Sequence, residues 1–192
     1  MISGNATLGG DSLPAVSEEV ARCTRCPLYR TRNKTVPGEG PPNAKVFIIG
    51  EGPGRNEDAQ GRPFVGAAGK QLGLLLGYAG LSREDVFITN LVKCRPPENR
   101  QPTDPEAQAC RPYLERQLTL VAPRVVVLLG DSALKRFIPD GRLTSSHGKI
   151  FKRGGLAFFS TYHPAAIIYD RSLEETIKKD FEGLANVLKD PS

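Results

Sequence analysis

Short apolar runs alternate with amphipathic stretches along most of the chain. Four runs are typical of buried strands, because β-branched and aromatic residues crowd together and stop at turn-forming residues. They cover residues 45–49, 85–90, 124–130 and 156–162. The third run is apolar without interruption, which indicates a strand covered on both faces.

Helical spacing fills most of the intervals between these runs. The pattern predicts helices over residues 13–25, 66–78, 103–120, 131–137 and 173–188, with Thr103 or Asp104 as the cap of the third. The basic, glycine-containing stretch 142–153 is expected to be a connection. Strands that alternate with helices predict an α/β fold, in which helices cover both faces of a parallel sheet.

The chain is expected to form one domain over residues 13–192. Its first 12 residues are small and polar, which is typical of a flexible tail. A length of 192 residues suits a single hydrophobic core, and the content of 39% hydrophobic and 24% charged residues is that of a globular protein.

Chemistry-bearing residues fall at the ends of the predicted strands. Glu51, Asn90, Gly130 and His163 each stand at or just beyond the carboxyl end of a different strand. Because these ends meet at one edge of a parallel sheet, we expect the four residues to lie close together.

The net charge of +5 and the isoelectric point of about 9.1 weakly favour a polyanionic partner such as nucleic acid. The sequence has no apolar stretch of membrane-spanning length and no signal peptide at its start. We therefore expect an intracellular protein with no membrane partner.

The loop after the first strand has the composition of a binding loop. Its glycines allow close approach to the backbone, Glu51 and Glu57 bring carboxylates, and Phe64 offers a face for a flat ring. A tight turn with solvated carboxylates explains the loop taken alone equally well.

Four cysteines indicate a metal centre rather than disulfides, since the compartment is reducing. Cys23 and Cys26 are spaced to reach one centre, whereas Cys94 and Cys110 flank a loop and a helix that could return to it. Four thiolates suit zinc or an iron–sulfur cluster, and the wide second pair favours the cluster. Four separate buried thiols are the least favoured reading.

Several motifs together resemble the family 4 uracil-DNA glycosylases, the iron–sulfur type of thermophilic bacteria and archaea. They are Gly50-Glu-Gly-Pro-Gly54, Gly61-Arg-Pro-Phe-Val-Gly66, Ile88-Thr-Asn-Leu-Val-Lys-Cys-Arg-Pro-Pro97 and Thr161-Tyr-His-Pro-Ala165. The resemblance implies a three-layer α/β/α sandwich around a four-stranded parallel sheet. It also implies a 4Fe-4S cluster on Cys23, Cys26, Cys94 and Cys110.

The activity that the resemblance implies is hydrolysis of the bond between uracil and deoxyribose in DNA. One sister group traps DNA covalently through a histidine in the segment that corresponds to residues 94–110. That segment contains no histidine here, so we expect no covalent trapping.

The resemblance also assigns roles at the strand ends. Phe64 stacks on a flipped base, and Asn90 reads O4 and N3–H of uracil. His163 stabilises the uracil anion at O2, aided by backbone N–H groups of the loop that contains Gly50 and Gly52. Glu51 or Glu57 positions the attacking water, although Glu57 could instead exclude the methyl group of thymine, and either carboxylate could simply bind loop backbone.

DNA contact is expected from the segment after the histidine motif, where relatives carry a wedge that fills the vacated stack. Its candidates are Ile167, Ile168, Tyr169 and Arg171. An apolar start to the last helix explains the three apolar residues equally well.

The expected protein is a monomer that acts on uracil-containing DNA at the cytoplasmic nucleoid, with a sliding clamp as a further candidate partner. A non-catalytic iron–sulfur protein that binds nucleic acid is the main alternative, and a zinc-containing hydrolase is the second.

Overall fold

A five-stranded sheet forms the centre of the computed structural model, which describes residues 10–189. Its order is β2-β1-β3-β5-β4, and only the edge strand β4 runs antiparallel to its neighbour. The strands are β1 (Val46–Gly50), β2 (Val86–Asn90), β3 (Val125–Leu129), β4 (Lys149–Arg153) and β5 (Leu156–Thr161).

Helices occupy most of the connections between these strands. They are α1 (Leu13–Ala21), α2 (Arg55–Gln60), α3 (Ala67–Tyr78), α4 (Asp104–Val121), α5 (Gly130–Phe137), α6 (Leu143–Ser146), α7 (Ala166–Tyr169) and α8 (Glu174–Lys189). Within residues 10–189, none of these helices has both the length and the apolar character needed to cross a membrane.

The alternation of side chains along β1 separates two hydrophobic layers. Val46 and Ile48 face a cluster that contains Leu76 of α3 and Phe181 of α8. Phe47 and the rest of the opposite face pack against α4 and α5. Because both faces of the sheet are covered, β1, β2 and β3 are buried along their whole length. The predicted α/β fold with helices on both faces is confirmed.

The amino-terminal helix packs beside α4 instead of on the sheet. Val16 and Val20 of α1 join Tyr113 of α4 in a third cluster, which also contains Cys94 and Cys110. The amino-terminal segment is therefore held near the cysteines rather than near the central core.

The prediction that residues 142–153 form only a connection is wrong. They contain α6 and β4, so the parallel part of the sheet has four strands and an antiparallel fifth strand is added at its edge. The pattern conceals this strand because Lys149, Lys152 and Arg153 are exposed, as charged residues at a sheet edge often are.

The folded structure begins earlier than the predicted tail of residues 1–12 allows. Ser12 caps α1 by accepting a hydrogen bond from the N–H of Ala15, and Asp11 pairs with Arg116 at 2.7 Å. The remainder of that predicted tail, residues 1–9, lies outside the described residues.

Candidate active site

A cleft of about 500 Å³ opens at the carboxyl ends of the parallel strands. Four neighbouring strands end at it, with Glu51 after β1, Asn90 at the end of β2, Gly130 after β3 and His163 after β5. The convergence expected from the sequence is therefore observed. Gly52, Glu57, Phe64 and Tyr169 also line this cleft.

Asn90 presents an unpaired amide oxygen in this region. The residue is 2% exposed, and its Oδ1 has no hydrogen-bond partner within the described part of the chain. An unsatisfied buried acceptor is costly, so the site is built to receive a donor. A Cβ atom at Gly50 would lie 2.5 Å from this oxygen, and hence glycine is needed at that position to make room for the carboxamide.

Phe64 is held in an unusual backbone conformation beside the cleft. Its φ of 52° lies in the left-handed region, which is uncommon for a bulky residue. Arg83 donates hydrogen bonds to the carbonyls of Pro63 and Phe64, and Glu39 holds Arg83 through an ion pair. Gly69 leaves space for the same carbonyl of Phe64. These contacts fix the ring against the cleft wall.

The imidazole of His163 is present as one defined neutral tautomer. Its Nδ1 accepts a hydrogen bond of 3.2 Å from the N–H of Ala165, which leaves the proton on Nε2. Burial lowers the pKa of His163 to about 4, although the carboxylate of Glu57 opposes this shift. At neutral pH the ring is therefore an uncharged hydrogen-bond donor.

The two candidate carboxylates have different surroundings. Glu57 accepts hydrogen bonds from three backbone N–H groups, those of Gly54, Val65 and Gly66. Its side chain thus ties the start of α2 to the loop that carries Phe64. Within residues 10–189, the Glu51 side chain instead accepts one hydrogen bond, from the hydroxyl of Ser132, and Glu51 lines the cleft.

The segment after the histidine motif divides into buried and exposed residues. Ile167 is 5% exposed and packs in the main core, which does not favour its prediction as a DNA contact. Ile168 and Tyr169 are 49% and 89% exposed, respectively. Arg171 is also exposed, in a short 3₁₀ turn that follows α7. Of the three apolar candidates for the wedge, Ile168 and Tyr169 are therefore the exposed ones.

Sequence reasoning missed Ser132 and Arg83. Ser132 follows the end of β3 by three residues, and this position at the shared sheet edge was the available signal. Arg83 belongs to a 3₁₀ turn before β2, and its contact with residues 63 and 64 spans 19 or more positions. No local pattern reveals such a contact.

The loop between Cys94 and Cys110 forms part of the cleft wall. Asn99, Arg100 and Gln101 line the cleft, and Arg100 forms two hydrogen bonds with Glu106. This guanidinium lowers the pKa of Glu106 to about 2. The loop is consequently fastened to the first turn of α4, the helix that carries Cys110.

The four cysteines line one small cavity between the amino-terminal segment and α4. Arg32 donates a hydrogen bond to Cys94 Sγ at 3.1 Å, and the N–H of Lys93 donates one to Cys110 Sγ at 3.3 Å. Such donors favour thiolates, but the pKa of the Cys110 thiol is still raised to about 11, because burial outweighs the opposing charge and hydrogen bond of Lys93. A positively charged group in the cavity would favour the thiolate form of these cysteines.

The four thiols are the candidate ligands of a metal centre. Within residues 10–189, no three His, Cys, Asp or Glu side chains are grouped so that they could hold one metal ion. Four thiols around one cavity, with donors directed at two of them, have the chemistry of ligands for an iron–sulfur cluster or for zinc. Cys23, Cys26, Cys94 and Cys110 are thus suited to an iron–sulfur cluster.

The fold and the cleft define an α/β protein with a polar cleft at the carboxyl ends of its parallel strands. A family model described as the uracil DNA glycosylase superfamily matches residues 37–189. The chain belongs to the uracil DNA glycosylase superfamily.

The named relatives of the chain include type-4 and type-5 uracil-DNA glycosylases. A type-4 uracil-DNA glycosylase of Sulfurisphaera tokodaii is 44% identical over 191 residues, which cover 94% of this chain and 87% of the relative. A type-4 enzyme of Thermotoga maritima is 43% identical, with 91% and 93% covered. A type-5 uracil-DNA glycosylase of Pyrobaculum aerophilum is 32% identical, with 88% and 86% covered. The expected resemblance to the family 4 enzymes is confirmed.

Proposed function

We propose that the protein is a monofunctional glycosylase that flips uracil out of DNA and hydrolyses its N-glycosidic bond. The reaction leaves an abasic site for base excision repair. The observation that carries this proposal is the buried carboxamide of Asn90, whose Oδ1 lacks a partner beside the ring of Phe64 and the neutral imidazole of His163. Each group matches one feature of the substrate. Asn90 matches the hydrogen-bonding edge of uracil, Phe64 matches the face of its ring, and His163 matches the anion that develops as the bond breaks.

Asn90 supplies the selection of the base. Its amide oxygen accepts from N3–H of uracil, and its NH₂ group donates to O4. Cytosine presents the reverse pattern, an acceptor at N3 and a donor at C4, and would leave buried groups unpaired. Binding of uracil would thus bring a donor to the Asn90 Oδ1 atom, which has none among residues 10–189.

His163 stabilises the leaving group. Negative charge builds on O2 of uracil as the glycosidic bond breaks, and a fixed Nε2–H donor meets it without the need for a proton transfer. Backbone N–H groups of the loop around Gly52 add to this stabilisation. The low pKa of His163 serves this role, because the ring stays a neutral donor across the physiological range.

Glu51 positions the water that attacks the sugar. Its free lone pairs can accept from water, and its negative charge favours the positive charge that develops on the sugar. Glu57 is less suited to this task, since its carboxylate already accepts three backbone hydrogen bonds. In this proposal Glu57 supports the loop that carries Phe64.

Tyr169 and Ile168 form the wedge, and Arg171 contacts a nearby phosphate. An exposed aromatic residue at the mouth of the cleft can enter the gap that a flipped nucleotide leaves.

A protein with this role works on nucleoid DNA in the cytoplasm. In this proposal one domain over residues 13–192 carries the whole activity as a monomer. A sliding clamp is a candidate partner to which we assign no surface.

Cys23, Cys26, Cys94 and Cys110 hold a 4Fe-4S cluster in this proposal. The cluster supplies iron–thiolate bonds that tie the amino-terminal segment and the loop after Cys94 to α4. A zinc site is the alternative, and the colour of the pure protein separates the two, because zinc is colourless and a 4Fe-4S cluster absorbs visible light.

The experiment that tests the function uses a labelled oligonucleotide with one uracil opposite guanine. After incubation with the protein, half of each sample receives alkali before a denaturing gel. We expect strand cleavage only after alkali, with Asn90→Ala and His163→Ala each about 10²–10³-fold slower. The matched control is Lys179→Gln, an exposed site on α8, which should retain the rate of the unmodified protein.

Two outcomes contradict the proposal. Strand cleavage before alkali shows β-elimination and excludes a monofunctional mechanism. An intact strand after alkali, from folded and coloured protein, supports the alternative of a non-catalytic iron–sulfur protein that binds nucleic acid.

A further inference from the structure

A buried ammonium group lies directly behind the residue that faces the base. Lys93 is 1% exposed, and its Nζ donates to the main-chain oxygen of Asn90 at 2.9 Å. It also donates to Gln117 Oε1 at 2.8 Å and to the hydroxyl of Thr89. All three N–H donors of the ammonium group are thus used.

The acceptors around Lys93 are themselves fixed. Gln117 donates its NH₂ group to the carbonyl of Pro37 at 2.8 Å, and the hydroxyl of Thr89 donates to the same carbonyl at 2.9 Å. None of the three acceptors of the ammonium is a carboxylate. A buried charge of this kind costs more stability than an apolar side chain of equal volume, so stability alone does not account for it.

The ammonium group of Lys93 is placed to hold the backbone at the end of β2. Asn90 is the last residue of β2, and after it the N–H of Leu91 still donates to the carbonyl of Gly50 at 2.9 Å. The ammonium group holds the Asn90 carbonyl at the same point. Because Oδ1 of Asn90 has no partner within the described residues, the direction of its carboxamide depends on these backbone contacts.

We propose that Lys93 is the positioning residue for Asn90, and that it fixes the carboxamide in the orientation that selects uracil. The inference rests on the proposed function of Asn90 and deepens it. Lys93 does not line the cleft and so does not touch the base. Its main-chain N–H donates to Cys110 Sγ, so this residue also joins the base-reading residue to the cysteine site.

The test is a double-mutant cycle between Lys93→Met and Asn90→Ala, measured as kcat/KM for a uracil-containing duplex. We expect Lys93→Met to lower kcat/KM about tenfold in the unmodified background and less than about twofold in the Asn90→Ala background. Equal losses in both backgrounds would show that Lys93 acts independently of Asn90 and would overturn the inference.

A second variant separates positioning from stability. Lys93→Met alone leaves the oxygens of Thr89, Gln117 and Asn90 without their donor, whereas Lys93→Met with Gln117→Leu replaces two polar partners together. We expect the paired variant to recover the melting temperature and the visible absorbance per chain of the unmodified protein while kcat/KM stays about tenfold low. Recovery of kcat/KM together with the melting temperature would overturn the inference.

Gln117→Leu alone is the matched control, because it preserves the bond between Lys93 and Asn90. Its kcat/KM should lie within about threefold of the unmodified value. A loss as large as that of Lys93→Met would assign the effect to the network as a whole and overturn the specific role of Lys93. Failure of the proposed role of Asn90 can be told apart from failure of the inference on Lys93, because in the first case Asn90→Ala would excise uracil at the unmodified rate.

Discussion

The ring of Phe64 stacks on the imidazole of His163, with the ring centroids 5.5 Å apart and the planes inclined by 28°. The aromatic residue proposed to hold the base and the histidine proposed to hold its anion are therefore one packed unit. A change in either ring alters the environment of the other. This contact joins the loop after β1 to the segment after β5 across the cleft.

Replacement of Phe64 by leucine should weaken excision through two losses. The variant removes the ring on which we propose that uracil stacks, a contact worth about 1–3 kcal/mol for a base on an aromatic side chain, and it leaves the imidazole less constrained. We expect kcat/KM to fall by about tenfold or more, measured by single-turnover and steady-state kinetics.

Leucine retains apolar volume, so the melting temperature of Phe64→Leu should change less than that of Phe64→Ala. An unchanged kcat/KM for both variants would exclude Phe64 from base binding.

Gly50→Ala should block the pocket without unfolding the chain. The added Cβ would stand 2.5 Å from Asn90 Oδ1 and 2.8 Å from Phe64 Cζ, distances at which neighbouring atoms must move. We expect a loss of excision of about a hundredfold or more, because both base-contacting groups are displaced.

The matched control for this substitution is Gly73→Ala in α3. A Cβ there meets no atom within 4 Å, and alanine in a helix interior stabilises by about 0.5–1 kcal/mol. Full activity in Gly50→Ala would show that the carboxamide of Asn90 does not need this space.

The strand ends could be predicted because the signal is local. The apolar runs before Glu51, Asn90 and His163 locate the strands, and parallel order brings their carboxyl ends together. The left-handed φ of Phe64, its support by Arg83 and the hydroxyl of Ser132 on Glu51 depend on contacts between distant segments. No periodicity records such contacts, so only the folded chain reveals them.

The edge strand β4 could not be predicted from the sequence. The sequence of β4 is basic and mostly exposed, so it lacks the apolar run that reveals a buried strand. Its pairing with β5, in which Ile150 lies opposite Phe159, is set by tertiary structure.

We expect Glu57→Gln to lose stability and Glu51→Gln to lose activity. Glutamine at position 57 offers one acceptor where three N–H groups need partners, so about 1–3 kcal/mol of stability is lost for each group left unsatisfied. Glutamine at position 51 keeps an acceptor for Ser132 but loses the charge that favours the developing cation.

We therefore expect Glu57→Gln to lower the melting temperature, and Glu51→Gln to lower kcat by about 10²–10⁴-fold at an unchanged melting temperature. Calorimetry and single-turnover kinetics on both variants check this. The reverse pattern would move the water-positioning role to Glu57.

The pKa of His163 predicts how excision depends on pH. The neutral ring is the proposed donor, and it becomes protonated only as the pH approaches about 4. The single-turnover rate should therefore be flat between pH 7.5 and about 5 and should fall below that. A rate that rises as the pH drops through about 6.5 would indicate an imidazolium donor instead.

The same shift predicts the pH dependence of stability. An unfolded histidine binds a proton near pH 6.5, whereas the folded His163 binds one only near pH 4, so between these values the unfolded state holds one more proton. His163 should make the free energy of unfolding fall as the pH drops across this window, with a slope approaching about 1.4 kcal/mol per pH unit.

The difference between the unmodified protein and His163→Gln isolates this contribution, because every other titrating group is common to both. Denaturant unfolding at several pH values provides the measurement. Parallel stability curves for the two proteins would contradict the buried neutral state of the ring.

Cys110→Ser tests whether the cysteine site is structural. Cys110 lies on α4, and its sulfur accepts from the N–H of Lys93, which in turn contacts Asn90. If the four cysteines hold the proposed cluster, loss of this ligand should abolish the visible absorbance and lower the melting temperature by several degrees or more, since metal–ligand bonds contribute directly to folding. Arg111→Gln, at the next residue of the same helix, is the matched control and should keep both properties, because Arg111 forms an exposed ion pair with Glu115.

An unchanged melting temperature with lost activity in Cys110→Ser would instead indicate that the centre takes part in the reaction or in DNA binding. Comparable losses in Cys23→Ser would show that both pairs of cysteines ligate one centre, because an independent thiol at position 23 could be replaced without effect on the absorbance.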